Sequence, residues 1–405
     1  MPKKTIEDIK ISGKRLLIRV DFNVPLDEKG RITDDNRIVK SLPTIRYALT
    51  QGAAVILISH LGRPDGRVNP KYSLRPVAKH LSDLLGRPVE FLEDSTGAKV
   101  EERAGRLKPG EILLLENLRF HPEEEKNDEK FAQSLARLAD FYVNDAFGAA
   151  HRAHASTDRV ARFLPSVAGL LMAREIDYLG RALKAAERPF IIILGGAKVS
   201  DKIKVIGNLL QKADAILVGG AMAYPFCRVK GQSIGSSKYE DGGEAMARQV
   251  LEQAHRKGVE VALPVDHVVA KKLEKNASTQ IVERDIPEGW MGLDVGPKTV
   301  SLFKGILSRA KTVLWNGPLG VFETPPFDRA SREIAEFITG LRAITLIGGG
   351  DTQAAIHQFG LEDKMTHVST GGGASLEYLE GKVLPGIAIL PEKEGSRGEP
   401  VGHKR

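Results

Sequence analysis

Residues fit for chemistry recur in this 405-residue chain immediately after short aliphatic runs. In its first part they are polar or cationic. Asp21, Asn23 and then Arg37 follow the run at 15–20, His60 and Arg63 follow 53–59, Arg119 follows 111–116, and Arg152 follows 141–144. The planar fork of arginine matches carboxylate and phosphate oxygens, so this set points to a small, multiply anionic ligand. Taken singly, each arginine reads as solvated surface and His60 as a turn histidine. Four run ends in succession favour one shared crevice. His151 and His154 lie three apart, a spacing that a metal could use on a helix, but no third ligand accompanies them and a structural role is expected.

Beyond position 188 the run ends are glycine: Gly195-Gly196-Ala197-Lys198, Gly219-Gly220, Asn316-Gly317-Pro318, Gly348-Gly349-Gly350-Asp351-Thr352 and Gly371-Gly372-Gly373. Glycine lets backbone N–H groups approach a ligand, and a following helix N-terminus favours an anion. Together these loops read as a polyphosphate surface, although each alone is also an ordinary turn. Lys198 and Lys202 stand at i and i+4, so a helix opening there would turn both ammonium groups to one side. The bland reading is a solvated basic face with Asp201 as partner. Asp351 is repulsive beside phosphate unless a hard cation such as Mg²⁺ lies between, and it also suits a helix N-cap. Neither G-x-x-x-x-G-K-[ST] nor G-x-G-x-x-G is present, nor is the H-R-D and D-F-G set of protein kinases.

What must position these residues is an alternation of strands and helices. Strands are expected at 15–20, 53–59, 111–116, 141–144, 189–194, 215–218, 260–263, 312–315 and 343–347. Helices fill the gaps at 38–50, 74–85, 126–138, 202–212, 244–257, 331–339 and 352–359. Strands alternating with helices of about ten residues read as βαβ units on parallel sheets, where ligands bind at the carboxyl ends of the strands. A long apolar-faced helix at 168–187, stopping at Arg188-Pro189, divides the chain. The expected fold is α/β: two Rossmann-like lobes, each a mostly parallel sheet flanked by helices, joined by that helix and a hinge. The lobes are placed at 1–170 and 189–390, the linking helix at 171–188, and a polar tail, loose or draped, at 391–405.

Composition narrows the function. Apolar residues make up 42% and charged residues 27%, a globular balance that excludes disorder. A single cysteine, Cys227, excludes a disulfide framework and fits a reducing compartment. No run is long enough to span a membrane and no secretory signal opens the chain, so a cytoplasmic protein is expected. The net charge of +7 invites a nucleic-acid reading, but the basic residues form no block and aromatics are only 6%. An RNA-binding module would need a basic stripe with aromatics. A dinucleotide-dependent dehydrogenase would need the missing fingerprint.

The motifs resemble those of the phosphoglycerate kinase family: Leu16-Leu17-Ile18-Arg19-Val20-Asp21-Phe22-Asn23-Val24-Pro25, Ser59-His60-Leu61-Gly62-Arg63-Pro64, Leu115-Glu116-Asn117-Leu118-Arg119-Phe120, and the stretches 144–154, 195–202, 315–323, 348–352 and 370–375. They occur in family order over nearly the whole chain. The resemblance implies reversible phosphoryl transfer between 1,3-bisphosphoglycerate and ADP, giving 3-phosphoglycerate and ATP with Mg²⁺, by a monomer whose two lobes close about a hinge. It implies phosphoglycerate binding by Asp21, Asn23, Arg37, His60, Arg63, Arg119 and Arg152, with Arg37 matching the catalytic arginine. It implies nucleotide binding by Lys198, Lys202, Gly292, Glu323, Gly349, Gly350, Asp351 and Thr352, with Asp351 near the metal. Lys198, Lys202, Gly350, Gly372 and Gly373 would serve the transferring group. One departure stands out: members often carry Gly-Thr in the segment where Phe327 is followed here by Asp328-Arg329-Ala330-Ser331. This chemistry suits a site without an obvious base, because an attacking carboxylate is already deprotonated and catalysis reduces to alignment and charge neutralisation.

Overall fold

The computed structural model describes residues 2–200 and 202–393. Asp201 and the tail residues 394–405 lie outside the described residues. The chain divides into two compact units, one running to Asp177 and resuming at Val383, the other Tyr178–Lys382.

The first unit is built on six parallel strands: β1 (Arg15–Arg19), β2 (Ala54–Ile58), β3 (Glu90–Leu92), β4 (Ile112–Leu115), β5 (Phe141–Asn144) and β6 (Ser166–Ala168), in the order β3-β4-β2-β1-β5-β6. The aliphatic runs are continuous because both faces are covered. Alternate side chains therefore enter different layers. Leu16, Ile18, Val55 and Leu57 join one core, while Leu17, Ile56, Ile58 and Tyr142 join the other. The pairing of Leu17 with both Ile56 and Tyr142 sets the register at the centre.

In the second unit β7 (Phe190–Leu194), β8 (Ala215–Val218) and β9 (Glu260–Ala262) lie on one side of the switch point, with β13 (Thr312–Asn316), β14 (Ile344–Gly348) and β15 (His367–Val368) on the other, all parallel in the order β15-β14-β13-β7-β8-β9. Between β9 and β13 the chain adds a separate antiparallel sheet of β10 (Asp266–Ala270), β11 (Gln280–Glu283) and β12 (Met291–Val295), then the helix Pro297–Leu307. Sequence patterning did not reveal this insertion. β11 is largely exposed, while β10 and β12 are mostly buried but broken by Asp266, His267, Gly292 and Asp294, so none carries the unbroken aliphatic run of the parallel strands. The edge strands β3, β6 and β15 escaped notice because each is only two or three residues long.

The expected long helix spans Leu170–Lys184, and the division between units falls within it. Asp145, just past β5, accepts bonds from the N–H groups of Leu171 and Met172 at 2.9 and 3.2 Å and so holds its first turn. The C-terminal segment departs from expectation. Residues 383–393 belong to the first unit, whereas the sequence placed the second lobe as far as 390. Asn144 Nδ2 donates to Gly386 O at 3.0 Å, and Lys4 N to Pro391 O at 2.9 Å. Such a return is set by non-local contacts that local pattern cannot carry.

Candidate active site

Strands β1, β2, β4 and β5 deliver their following loops to one end of the first sheet. Arg37, in the first turn of the helix Asn36–Thr50, donates from Nη1 to Asp21 Oδ2 at 2.8 Å. Asn23 Oδ1 accepts from Gly62 N at 2.8 Å, and Gly62 O accepts from Arg119 Nη1 at 2.8 Å, so the three loops are tied together. Arg119 is buried and pairs through Nε with Glu125 at 3.1 Å. Burial, and the like charges of Arg19 and Arg152, hold it below its usual value against the pull of Glu125. Burial and then the guanidiniums of Arg19, Arg119 and Arg37 keep His60 well below the ordinary imidazole range. Burial and the neighbouring guanidiniums likewise push His154 down to about 3. Arg152 Nε lies 3.3 Å from His151 Nε2.

Thus Arg37, His60, Arg119 and Arg152 act on a common region with Asp21 and Asn23 at its edge, whereas Arg63 is exposed and makes none of these contacts. His154 is one of the groups facing His60, and among the described residues no three of His, Cys, Asp and Glu gather as a metal site. One participant was missed. Arg19, inside β1 and 1% exposed, places its Nη2 3.1 Å from His60 Nδ1. Its aliphatic setting in Leu16-Leu17-Ile18-Arg19-Val20 was the available signal. Two buried guanidiniums and two half-buried ones gathered in one region suit an anionic ligand.

The second unit carries a cavity of about 340 Å³ at the carboxyl ends of β7, β8 and β13 and against β12. Leu273, Met291, Leu293 and Val321 give it an apolar wall, Gly196 and Gly220 a backbone floor, and Glu323 and Asp351 lie on its lining. Gly292 lines it too, and a Cβ there would meet Tyr224 Oη at 2.1 Å. An apolar slot leading to glycine loops has the form of a nucleotide site.

Three expectations need correction. Lys198 and Lys202 do not share a helix face, because the helix begins at Ile203. Lys198 is exposed on the loop, while buried Lys202 donates from Nζ to Gly195 O and Asn316 O, each at 2.8 Å. Asp351 is not an N-cap. It sits in the first turn of the helix Gly350–Gln358, whose cap is Gly349. Finally, not every glycine serves a ligand. A Cβ on Gly195 would lie 2.0 Å from Pro318 O, so that glycine allows one loop to pack on another. Gly350, Gly372 and Gly373 instead face open space.

Thr352, by contrast, is a brace: its Oγ1 accepts from Gly317 N at 2.6 Å. Asn316, absent from the sequence reading as a site residue, has a buried Nδ2 without a hydrogen-bond partner, directed at the Gly348–Gly349 turn. Its signal was an asparagine at a strand end where the neighbouring strands end in glycine. The departure after Phe327 also finds a place. Ser331 Oγ accepts from Leu319 N at 2.9 Å, and Asp328 pairs with Arg332 at 3.2 Å, so the segment supports the loop lining the cavity.

Two parallel sheets, one ending in cations and the other in a glycine-floored cavity, define a phosphotransferase acting between a nucleotide and a small anion. The family model for phosphoglycerate kinase matches residues 6–382. The phosphoglycerate kinase of Thermosipho africanus is 55% identical over 399 residues, covering 97% of this chain and 99% of that one. That of Herpetosiphon aurantiacus is 54% identical over 394 residues, with 97% and 100% covered. The solved phosphoglycerate kinase of Coxiella burnetii superposes with a TM-score of 0.87 at 41% identity, over 96% of this chain and 98% of that one. The chain belongs to the phosphoglycerate kinase family. Its reaction is that family's phosphoryl transfer to a carboxyl group, with ADP and ATP as nucleotides.

Proposed function

We propose that the cationic end of the first sheet binds 3-phosphoglycerate or 1,3-bisphosphoglycerate, and that the cavity of the second unit binds ADP or ATP. The observation that carries this reading is the gathering of guanidiniums around the buried His60, with Arg19 and Arg119 buried and Arg37 and Arg152 half-buried. Asp21, Asn23, Arg63 and Arg152 complete the anion's surroundings, and Arg37 neutralises charge on the moving phosphoryl group. Leu273 and Met291 flank the base, Gly292 and Glu323 meet base and ribose, and Gly349, Gly350 and Thr352 with Asn316 hold the phosphates. Lys198 touches charge that develops during transfer. Lys202 braces Gly195 and Asn316 and meets the phosphates in the ground state. The Gly372 and Gly373 N–H groups receive the transferring group.

A magnesium ion fits this donor set. Asp351 is an exposed hard-oxygen ligand on the cavity lining, and phosphate oxygens would supply most of its remaining shell. When bound, Mg²⁺ offsets charge on the nucleotide phosphates. In-line transfer requires reacting oxygens within roughly 3–3.5 Å. Ligands held on separate units must therefore be brought together by closure about the shared helix. Among the described residues no helix is long and apolar enough to cross a membrane, and the one cysteine is buried. A cytoplasmic monomer is part of this proposal.

Arg37→Ala tests the assignment in a coupled ADP-to-ATP assay with the acyl phosphate. The expected loss is at least ~10³ in kcat with little change in the nucleotide KM. An unchanged kcat would remove Arg37 from the chemistry.

A further inference from the structure

We propose that Arg19 is a positioning residue that locks His60 in its Nε2–H tautomer, so that the ring meets the anionic ligand as a neutral donor. This rests on the reading that His60 contacts phosphoglycerate. A guanidinium has donors only, so the 3.1 Å contact between Arg19 Nη2 and His60 Nδ1 requires a lone pair on Nδ1. The ring proton is then on Nε2. An imidazolium would instead set two donors against each other within a buried cluster.

Arg19 is itself held at every arm. Nη1 donates to Val20 O and Nε donates to Ser156 Oγ at 2.9 Å. Since Ser156 Oγ accepts there, its own hydrogen goes to Glu124 Oε1 at 2.6 Å, while Ser156 N donates to Glu124 Oε2 at 2.9 Å. Tyr142 Oη donates to Ser156 O at 2.7 Å and fixes the relay. Arg19 is 1% exposed and Glu124 0%, so the buried cation has a carboxyl group one hydroxyl away, whose pKa burial raises against the pull of Arg19. A direct Arg19–Glu124 pair would satisfy both charges and leave nothing to orient His60. The intervening serine spares Nη2 for the imidazole.

The groups facing His60 are the guanidiniums of Arg19 from β1, Arg119 from the turn after β4 and Arg37 from the helix Asn36–Thr50, with His154, held neutral, from the loop after β5. Asp21 is engaged by Arg37, and Glu124 by Ser156. Burial first, and then the three guanidiniums, oppose its protonation. The consequence is functional. A histidine titrating near its usual value would tie substrate affinity to pH, whereas this one keeps a single donor throughout the working range.

The test is ¹⁵N imidazole spectroscopy of the full chain, with Arg19→Met, Arg19→Lys and wild type compared kinetically. The expected result is His60 in the Nε2–H form from pH 8 to pH 5, with its signals moving on addition of 3-phosphoglycerate. In Arg19→Met the KM for 3-phosphoglycerate should rise about tenfold at pH 8, the worth of one charge-facing hydrogen bond. It should recover towards pH 6 as an imidazolium becomes possible, with the ATP KM unmoved. Arg19→Lys should keep a buried cation without restoring the pH profile, because one ammonium cannot serve Val20, Ser156 and His60 alike. The ligand's phosphate titrates equally in all three proteins, so ratios to wild type isolate the change. A proton on Nδ1, or an imidazolium above pH 6 in the wild type, overturns the proposal whether or not the variants fold. So does an Arg19→Met protein whose pH profile matches wild type. Signals in the Nε2–H form that ignore 3-phosphoglycerate overturn the binding reading and leave the tautomer standing.

Discussion

Asp145 offers a stability change whose sign reverses with pH. Its carboxyl is fully buried at the start of the helix Leu170–Lys184, and no cation contributes to its titration. Burial pushes its pKa up to about 7 from an ordinary 3.8, despite hydrogen bonds from Thr44, Met172 and Leu171. A raised carboxyl pKa means that the folded chain binds the proton more tightly than the unfolded one. The penalty is absent below about pH 4, grows through the interval and is complete above about pH 7. At 1.36 kcal/mol per pKa unit its full size is about 4 kcal/mol. Asp145→Asn removes the titration and keeps an oxygen for the Leu171 and Met172 N–H groups. It also puts an NH₂ where Oδ2 has no partner, costing about 1–3 kcal/mol. The variant should therefore be more stable than wild type by about 1–3 kcal/mol at pH 8, and equal or less stable at pH 4.5. Urea midpoints for both proteins across that range measure the difference, and other titrating groups cancel in it. A pH-independent difference would show that Asp145 is not a buried, unpaired carboxyl.

On the proposed role of the exposed Lys198 toward charge present only during transfer, Lys198→Ala should lower kcat more than it raises the nucleotide KM. Lys202→Ala should mainly raise the KM, since Lys202 holds the loops at Gly195 and Asn316; equal KM defects with intact kcat in both variants would contradict the division. The radius of gyration in solution scattering should fall clearly only with 3-phosphoglycerate and Mg-nucleotide together, since each ligand alone grips one unit. Full contraction with nucleotide alone, or none with the pair, would refute closure, and the forward-scattering mass tests the monomer.

The sequence by itself determined the parallel architecture and the ends of the strands that carry chemistry. Leu16-Leu17-Ile18 and Ile191-Ile192-Ile193 are aliphatic at successive positions because both faces of each strand are covered, and that pattern is local. Asp21, His60, Arg119 and Asp351 were legible for the same reason, as polar or charged residues placed just after such runs. Elsewhere, meaning depended on residues distant in the chain. The strands of the insertion β10–β12 mix polar residues among apolar ones, so they look like loop until they pair, yet Gly292 and much of the cavity wall come from it. Lys198 and Lys202 are close in sequence but part company, because the helix starts only at Ile203 and two carbonyls, at positions 195 and 316, capture the Lys202 ammonium. Arg19 read as one charge in an aliphatic strand. Its role appears only when Ser156 and Glu124 fold against it, since the cost of burying a cation is decided by the partners that tertiary structure supplies.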